Sequence, residues 1–464
     1  MKGLPETPCE TASFRCRKNN KGQALLLVTF AMIPMFAMLG LVADLGYMEY
    51  LKGSAQAAVD SAALAAVYRY NRTVYGSAMD CSASSWMCHE TPWPCPAAIE
   101  HAANPVEAAC LYAKKNGFST SDPRQSVTIV SGVSSTIPTS TAVNNGGWWI
   151  TVRIAQTVPQ LFSSVLGKTA GLVAARATSS VQPSLACVYA LDPVSVQGYY
   201  QNGNTNFLSA CGIYVNSNAS PAMQGVGGAT VSAPFINVVG GVDWQGTMTP
   251  IAATGATSVA DPLAAMPPPS QCSSTGGCAP AGCSTHANAL VVNSDRTLSP
   301  GVYCAGIKVK NATVTFSAGT YVLVGGGLST QDSNSHVRGS GVLFFNSYDS
   351  ANSYSPIDFN ANSDVQISAA TSGSNAGILY MQDRTCCATT VPTDSFQGGA
   401  NSYFEGVLYS PRSLVQFAGN ASLSIAHYTV VVARRFAVQG SSFMNNDYSH
   451  LVGGNPIKSV GLVE

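Results

Sequence analysis

The chain has 464 residues, with 23 basic and 23 acidic side chains and a formal net charge of zero. Charged residues make up 10% of it, against about 25% in an average soluble protein. Because no basic excess is available to neutralise phosphates, we do not expect nucleic acid as a partner. The length allows two or three domains, and a surface of Ser, Asn, Thr and Gly favours a long β-structure with many turns.

Residues 1–21 form a basic tail in front of an apolar segment. Two acidic residues, Glu6 and Glu10, are outnumbered there by five basic ones: Lys2, Arg15, Arg17, Lys18 and Lys21. A basic excess on one flank of an apolar segment places that flank in the cytoplasm. We therefore expect a cytoplasmic N-terminus, a single pass through the bilayer, and export of the rest of the chain.

The apolar segment runs without a charge from Ala24 to Ala43, and Asp44 closes it. Twenty helical residues span about 30 Å, which is the thickness of the hydrocarbon core of a bilayer. A cleaved signal peptide is the alternative, but its apolar region is about 7–15 residues long and ends at a small-x-small site. The sequence Leu-Val-Ala-Asp is a poor site of that kind, so we expect a retained anchor in the lipid bilayer.

The helix continues beyond the anchor as an Ala-rich segment, and residues 22–67 form one unit. Ala55, Val59, Ala62 and Ala66 recur at spacings of three and four, so they lie on one helix face. Small side chains on one face allow another helix to approach closely. An Ala-rich stalk without specific contacts is the other interpretation, and the sequence leaves both open.

Four features of this unit carry a resemblance: the Gly22-Gln23 start, Pro34 within the apolar span, Asp44-Leu45-Gly46-Tyr47, and AQAAVDSAALAA from Ala55. Together they resemble the N-terminal segment of TadG-like proteins, bacterial proteins associated with assembly of tight-adherence (Flp) pili. The pattern includes Asp44, Gln56 and Asp60, which we interpret as contact residues of the anchor helix.

The resemblance implies a protein of the bacterial inner membrane with periplasmic domains, whose partners are proteins of a pilus or secretion apparatus. Some relatives carry a von Willebrand factor A-type domain with an Asp-x-Ser-x-Ser metal site. The nearest segment here begins at Asp295, and Pro300-Gly301 interrupts the loop that follows it. We therefore expect no metal and no cofactor. Leu27 stands where related pilins have a Glu, so prepilin-type cleavage is not expected.

The chain contains fourteen cysteines. Cys9 and Cys16 precede the anchor and should stay reduced in the cytoplasm. The remaining twelve follow it, and an even number in an exported region favours disulfides. The segment of residues 71–104 reads as an irregular, disulfide-stapled loop containing Cys81, Cys88 and Cys95, and we expect it to be joined to Cys110. A zinc knuckle completed by His89 or His101 is the alternative, but no two of these cysteines have the Cys-x-x-Cys spacing.

Residues 70–185 are predicted to form a small α+β domain. Asn104 can cap a helix in which Pro105 occupies the first turn and Gly117 follows the end. Strands are predicted over 126–133, 149–158 and 172–181. The middle one alternates, with Ile150, Val152 and Ile154 on one face.

Residues 187–450 repeat a short pattern of Gly, a β-branched residue and an apolar or aromatic residue. The pattern occurs at Gly212, Gly301, Gly319, Gly341, Gly377 and Gly406. Repeats of about 20 residues with short strands and Gly/Asn turns are typical of solenoids. We predict a right-handed parallel β-helix, with a β-sandwich as the alternative. The whole chain is then mainly β: a transmembrane helix, a small α+β domain and a β-helix-like domain.

Cys187 and Cys211 are 24 residues apart, about one repeat, and neighbouring repeats are close enough for a disulfide between them. We predict that bond. Cys272, Cys278, Cys283 and Cys304 should pair among themselves. Because a bond between adjacent cysteines is strained, Cys386 and Cys387 are expected to have separate partners.

The sequence contains none of the common catalytic motifs, and we expect a non-enzymatic structural or scaffolding protein. Two alternatives remain. An adhesin or glycan-binding module would show a row of exposed tyrosines, for which the candidates are Tyr199, Tyr200, Tyr348, Tyr354 and Tyr403. A polysaccharide lyase or hydrolase would need two carboxylates about 5–10 Å apart. Its candidate residues are Asp364, Asp383, Asp394, Arg384, His427, Arg434 and Arg435.

Overall fold

The computed structural model describes residues 21–73, 81–134, 137, 147–269, 283, 288–360, 362–387, 389–419 and 426–463. The basic tail up to residue 20, with Cys9 and Cys16, lies outside the described residues, and so do Cys272 and Cys278. The described part is mainly β and begins with one long helix, as the sequence predicts.

The long helix α1 (Lys21–Thr73) has 53 residues. Its stretch from Val28 to Tyr70 includes a run that is long and apolar enough to cross a membrane. The two halves of α1 have different surroundings. Large apolar side chains such as Val28, Leu41 and Leu45 face outward, whereas the face that begins at Ala55 is buried against the rest of the chain. One continuous helix therefore joins the apolar span to a folded domain.

The α+β domain packs α1 and a second helix, α2 (Pro105–Lys115), against an antiparallel sheet. Its strands are β1 (His89–Pro94), β2 (Gln125–Gly132), β3 (Trp149–Pro159) and β4 (Ala170–Pro183). Asn104 caps α2 by accepting a hydrogen bond of 2.9 Å from the Glu107 amide. In β3, Ile150, Val152 and Ile154 are wholly buried, as the alternation predicts.

Strand β1 corrects the prediction that residues 71–104 form an irregular loop. The sequence HETPWP has two prolines and no apolar alternation, so no strand was predicted there. β1 pairs with β2 through a shifted register at the sheet edge, where proline is tolerated.

Residues 186–444 form three stacks of parallel strands, called here the first, second and third ladders. The N-terminal strands are β5 (Ala186–Ala190), β6 (Tyr199–Asn202), β7 (Asn206–Ser209), β8 (Gly212–Val215), β9 (Met223–Ser232), β10 (Ile236–Val238), β11 (Val242–Thr249) and β12 (Ala253–Thr254). The next are β13 (Leu290–Val292), β14 (Arg296–Leu298), β15 (Gly301–Cys304), β16 (Ile307–Val309), β17 (Thr313–Phe316), β18 (Gly319–Val324), β19 (Leu328–Thr330) and β20 (His336–Ser340). The last are β21 (Val342–Ser347), β22 (Asp364–Ser368), β23 (Ile378–Gln382), β24 (Thr393–Gly398), β25 (Tyr403–Gly419), β26 (Thr429–Gln439) and β27 (Ser442–Met444).

The chain visits the three ladders in rotation. In the first ladder β18 pairs with β21, in the second β16 pairs with β19, and in the third β17 pairs with β20, each in parallel. Every strand pairing described between β5 and β27 is parallel, which does not fit the β-sandwich alternative because sandwich sheets are antiparallel. All six glycine motifs of the sequence begin, immediately precede or lie within strands of the first ladder. The interval of 36 residues between Gly341 and Gly377 is one turn with a loop, because β21 pairs directly with β23.

The order of the first ladder does not follow the chain. From one end to the other it runs β15-β18-β21-β23-β25-β26-β5-β8-β10-β12. The earliest strand, β5, thus lies between β8 and the late strand β26. We call the β26–β5 contact the seam. The chain enters the ladders at the seam with β5 and reaches one end of the first ladder at β12. It then continues at the opposite end with β13 to β15, and later strands lead back to the seam at β26.

The segment that follows β12 runs back across the ladders. Asn216 and Val259 exchange two hydrogen bonds, of 2.7 and 3.0 Å. The hydroxyl of Tyr409 donates to Asp261 at 2.7 Å. Cys283 pairs with Cys304 at the far end. In chain order, these contacts lie progressively closer to the end of the first ladder at which β13 to β15 begin.

The C-terminal strand β28 (Lys458–Leu462) leaves the ladders and pairs antiparallel with β4. The α+β domain therefore has five strands in the order β1-β2-β3-β4-β28 and takes its last strand from the end of the chain. It extends beyond residues 70–185, since it also includes half of α1. Because the chain enters and leaves the ladders beside this domain, two connections hold the two parts together.

Candidate functional site

The Ala-rich half of α1 is the interior of the α+β domain. Ala55, Ala58, Ala62 and Ala66 are each 0% exposed. They belong to one apolar cluster with α2 residues and with strand residues such as Ile150. Small side chains let α2 and the sheet approach the helix closely, as the spacing indicated. Of the two interpretations of this face, close packing is the one observed, and an Ala-rich stalk without specific contacts is not, because the chain's own domain covers the face.

Gln56 and Asp60 lie on the same side of α1, one turn apart. The Gln56 amide nitrogen donates to the Asp60 carboxylate at 2.8 Å and to the Arg176 carbonyl of β4 at 3.1 Å. Asp60 thus orients Gln56 toward the backbone of the sheet. Gln56 and Asp60, which belong to the resemblance seen in the sequence, therefore contribute to one contact between α1 and β4.

Asp44 makes a second contact between α1 and the sheet, at the end of the apolar span. Its carboxylate accepts hydrogen bonds from three successive amides: Leu161 at 3.2 Å, Phe162 at 3.0 Å and Ser163 at 2.7 Å. These amides begin the 3-10 turn Ser163–Leu166, which connects β3 to β4. The carboxylate therefore satisfies donors that the turn itself leaves unpaired.

Two glycines allow the β3–β4 connection to lie directly on α1. A Cβ atom at Gly40 would lie 2.4 Å from the ring of Phe162, and one at Gly171 would lie 2.8 Å from the side chain of Met48. Gly40 is buried although its neighbours on α1 are exposed. Sequence reasoning singled out Asp44 but missed this connection. The signals available in the sequence were a glycine within the apolar span, Gly40, and the apolar pair Leu161-Phe162 after a predicted strand.

The residues considered for catalysis contact different partners. Asp364 pairs with Arg338, and Asp383 accepts from Ser347 at 2.6 Å. His427 contacts Glu405 at 2.7 Å, and Arg434 contacts Asp192 at 2.6 Å. None of these contacts joins two of the three candidate carboxylates.

Asp394 is wholly enclosed among strands of the first and second ladders. It accepts from the Ile357 amide at 3.0 Å and the Tyr380 hydroxyl at 3.2 Å. Burial raises the pKa of Asp394, and hydrogen bonds, including that from Ile357, counteract the rise. A substrate could not reach this carboxyl group without opening the ladders.

Within the described ranges, no group of three or more His, Cys, Asp and Glu side chains is arranged to hold a metal ion. The cysteines form pairs at disulfide geometry instead: Cys81–Cys88, Cys95–Cys110, Cys187–Cys211, Cys283–Cys304 and Cys386–Cys387. Cys187 and Cys211 have Cα atoms 5.4 Å apart and join the start of β5 to the residue before β8. The expectation of separate partners for Cys386 and Cys387 is wrong, because they pair with each other.

The tyrosines proposed as an exposed row do not form one. Tyr199 is wholly buried, and Tyr200, Tyr348, Tyr354 and Tyr403 are only partly exposed. A cavity of about 600 Å³ lies elsewhere, where α1, the ladders and β28 meet. Its lining includes Tyr68, Tyr189, Tyr214, Phe235 and Lys458. Tyr189 and Tyr214 are stacked with ring centroids 5.8 Å apart.

These features describe a mainly β protein built on a helix that is long and apolar enough for a membrane anchor. Residues 22–69 match the family model described as "Putative Flp pilus-assembly TadE/G-like". This match falls on α1 and confirms the resemblance seen in the sequence. Residues 273–449 match a model described as a domain of unknown function, DUF7305, and this range covers β13 to β27. No curated protein and no solved structure matches the chain.

Proposed function

We propose that this chain is a non-enzymatic, membrane-anchored scaffold of Flp pilus assembly or of an associated secretion apparatus. The observation that carries the proposal is the position of the Tad match on α1. The same helix provides both the apolar span and the centre of the α+β domain. A partner that binds the folded part is thereby linked to the membrane through one continuous helix.

We further propose that the N-terminus is cytoplasmic and that the folded part is periplasmic in a bacterial inner membrane. The basic flank before α1 supports this orientation. The five cysteine pairs support it too, since disulfides persist in oxidising compartments. Mapping of peptides without reduction should find these pairs oxidised in protein taken from membranes, and free thiols would contradict the orientation.

The three ladders support a parallel β-helix as the architecture of residues 186–444. Their strands pair in parallel and alternate between the ladders in a fixed rotation. Buried aromatic rings such as Phe396, Phe417 and Phe436 pack edge to face from layer to layer, with successive centroids 6.2 and 5.5 Å apart. A rod of this kind buries an apolar column and therefore needs few charges, in agreement with the composition.

Glycan binding is the second candidate function, and the aromatic cavity favours it. The stacked Tyr189 and Tyr214 could contact the apolar face of a sugar ring, and Lys458 could bind its hydroxyl groups. An enzyme is not proposed, since the candidate carboxylates are committed to separate contacts.

The proposal is tested by purifying the full chain from bacterial membranes after mild crosslinking and identifying the proteins that accompany it. Components of a pilus or secretion apparatus are expected. A matched preparation of Gln56→Ala, which loosens α1 from β4, should recover fewer of them. If no such components accompany the wild type, the scaffold role is wrong. Release of sugar from envelope polysaccharide by the full chain would contradict the non-enzymatic assignment.

A further inference from the structure

We propose that the β3–β4 connection, with Leu161 and Phe162 at its tip, inserts into the bilayer surface beside α1 and seats the α+β domain on the membrane. The partner surface is lipid. This inference rests on the proposed anchoring of α1, and it assigns a second membrane contact to a segment outside the anchor helix.

The first observation is an apolar surface continuous with the anchor. Leu161 is 75% exposed, Phe162 50% and Leu172 65%. Phe162 lies on Gly40 of α1, where the neighbouring Leu39, Leu41 and Val42 also face outward. Large exposed apolar patches mark surfaces that contact a membrane or another protein. Here the neighbouring surface is the apolar span itself, so lipid is the occupant that covers both.

The second observation is depth. Phe162 packs directly on Gly40, which lies four residues inside the end of the apolar span marked by Asp44. At 1.5 Å per residue, this contact is about 6 Å further into the span than Asp44. A side chain resting on Gly40 therefore lies beside a helix segment that is surrounded by lipid when α1 spans the bilayer.

The third observation is that the connection has its polar backbone satisfied. Amides placed near hydrocarbon need partners, because no water is available there. Asp44 accepts from the amides of Leu161, Phe162 and Ser163. The carboxylate thus allows a non-helical segment to lie at a depth where its free amides would be unfavourable.

The residues around the connection are those that favour the membrane–water boundary. Tyr47 and Tyr50 are 53% and 69% exposed and lie one and two turns beyond Asp44 on α1. Tyrosine is enriched at that level of membrane proteins. Lys168 is exposed in the same connection and can extend its amine toward lipid headgroups. Two contacts, α1 and the connection, would fix the orientation of the domain on the membrane.

The inference is tested with full-length protein in vesicles of phosphatidylethanolamine and phosphatidylglycerol, with or without phosphatidylcholine brominated on its acyl chains. Leu161→Trp places a fluorophore at the tip. Leu185→Trp is the matched control, because Leu185 is also 75% exposed. Leu185 lines a cavity with Tyr68, which is 28 residues beyond Gly40 on α1 and thus about 40 Å along the helix. Emission is measured as the difference from the wild type, which contains five tryptophans.

Brominated lipid should quench most of the emission added by Leu161→Trp and little of that added by Leu185→Trp. Phe162→Trp is the second reporter if Leu161→Trp does not fold. Flotation of the vesicles tests the anchor separately. If the protein floats but neither tip reporter is quenched, or the control is quenched equally, the inserted connection is wrong and the anchor stands. If the protein does not float, both proposals are wrong.

Discussion

Arg434 and Asp192 are 242 residues apart in the chain and form an ion pair, with Nε and Oδ2 2.6 Å apart. The pair lies at the seam, where β26 meets β5. The backbone amide of Asp192 also donates to the carbonyl of Arg434 at 2.9 Å. The side chain of Asp192 is only 2% exposed, and that of Arg434 is 33% exposed. The latest and earliest turns of the ladders are thus joined by a charge pair as well as by strand pairing.

We predict that Arg434→Met destabilises the seam. The variant leaves the Asp192 carboxylate without its charged donor, which should lower the free energy of unfolding by about 1–2 kcal/mol. This value takes account of the partial exposure of Arg434. Urea unfolding followed by tryptophan fluorescence measures it. Arg296→Met, at an exposed position of β14, is the control and should change stability by less than about 0.5 kcal/mol. Equal effects of the two variants would contradict a special role of the seam.

The Arg434–Asp192 ion pair also predicts that the free energy of unfolding depends on pH in the acidic range. Burial alone would raise the pKa of Asp192, but hydrogen bonds from Arg434, Val194 and Ser195 outweigh it and lower the pKa to about 2. In the unfolded chain an Asp has a pKa of about 3.9. The carboxylate therefore contributes to stability above about pH 4, and this contribution is lost as the pH falls toward about 2. We expect the stability difference between wild type and Asp192→Asn to shrink over that range. A difference that does not change with pH would contradict this assignment.

The seam also shows how far the sequence alone could predict the fold. The glycine motifs at Gly319 and Gly341 identified strands of one ladder, because φ is positive at both positions, 138° and 72°, a region that favours glycine. The order of the strands could not be predicted, since local patterns carry no information about which strand β5 meets. Asp44 was singled out by the resemblance to TadG-like N-terminal segments. Its partners Leu161 to Ser163 were not, because they lie more than 100 residues away in a segment without periodicity.

The Ala face of α1 should be intolerant of larger side chains. Ala62→Leu inserts extra methyl groups into a position that is 0% exposed between α1 and the domain. We expect a loss of about 1–3 kcal/mol in the free energy of unfolding because the neighbours must shift. Ala57→Leu is the matched control, since Ala57 is exposed on the same helix. Denaturation of the two variants in detergent measures the effect. If they were equally stable, α1 would not be the centre of the domain.

The Cys187–Cys211 pair should stabilise the first ladder next to the seam. It closes a loop with a sequence separation of 24. Constraint of such a loop in the unfolded chain contributes about 3 kcal/mol. We expect the double variant Cys187→Ala, Cys211→Ala to unfold at lower denaturant concentration by a corresponding amount. The Cys81→Ala, Cys88→Ala variant should lose less, because that loop is shorter, with a separation of 7. The reverse order of stabilities would contradict the prediction.

Asp44→Ala should release the β3–β4 connection from α1. The amides of Leu161, Phe162 and Ser163 lose their acceptor, and the remaining contact of Phe162 with Gly40 cannot replace it. We expect faster hydrogen exchange of these three amides in full-length protein held in lipid nanodiscs, measured by mass spectrometry. The interior of β3 should exchange as in the wild type. Glu49→Ala removes an exposed carboxylate one to two turns further along α1 and should leave the three amides unchanged. Asp44→Asn retains one acceptor oxygen, so the exchange rates of its three amides are expected to lie between those of the wild type and Asp44→Ala. Protection that survives in Asp44→Ala would show that packing on Gly40 alone holds the connection in place.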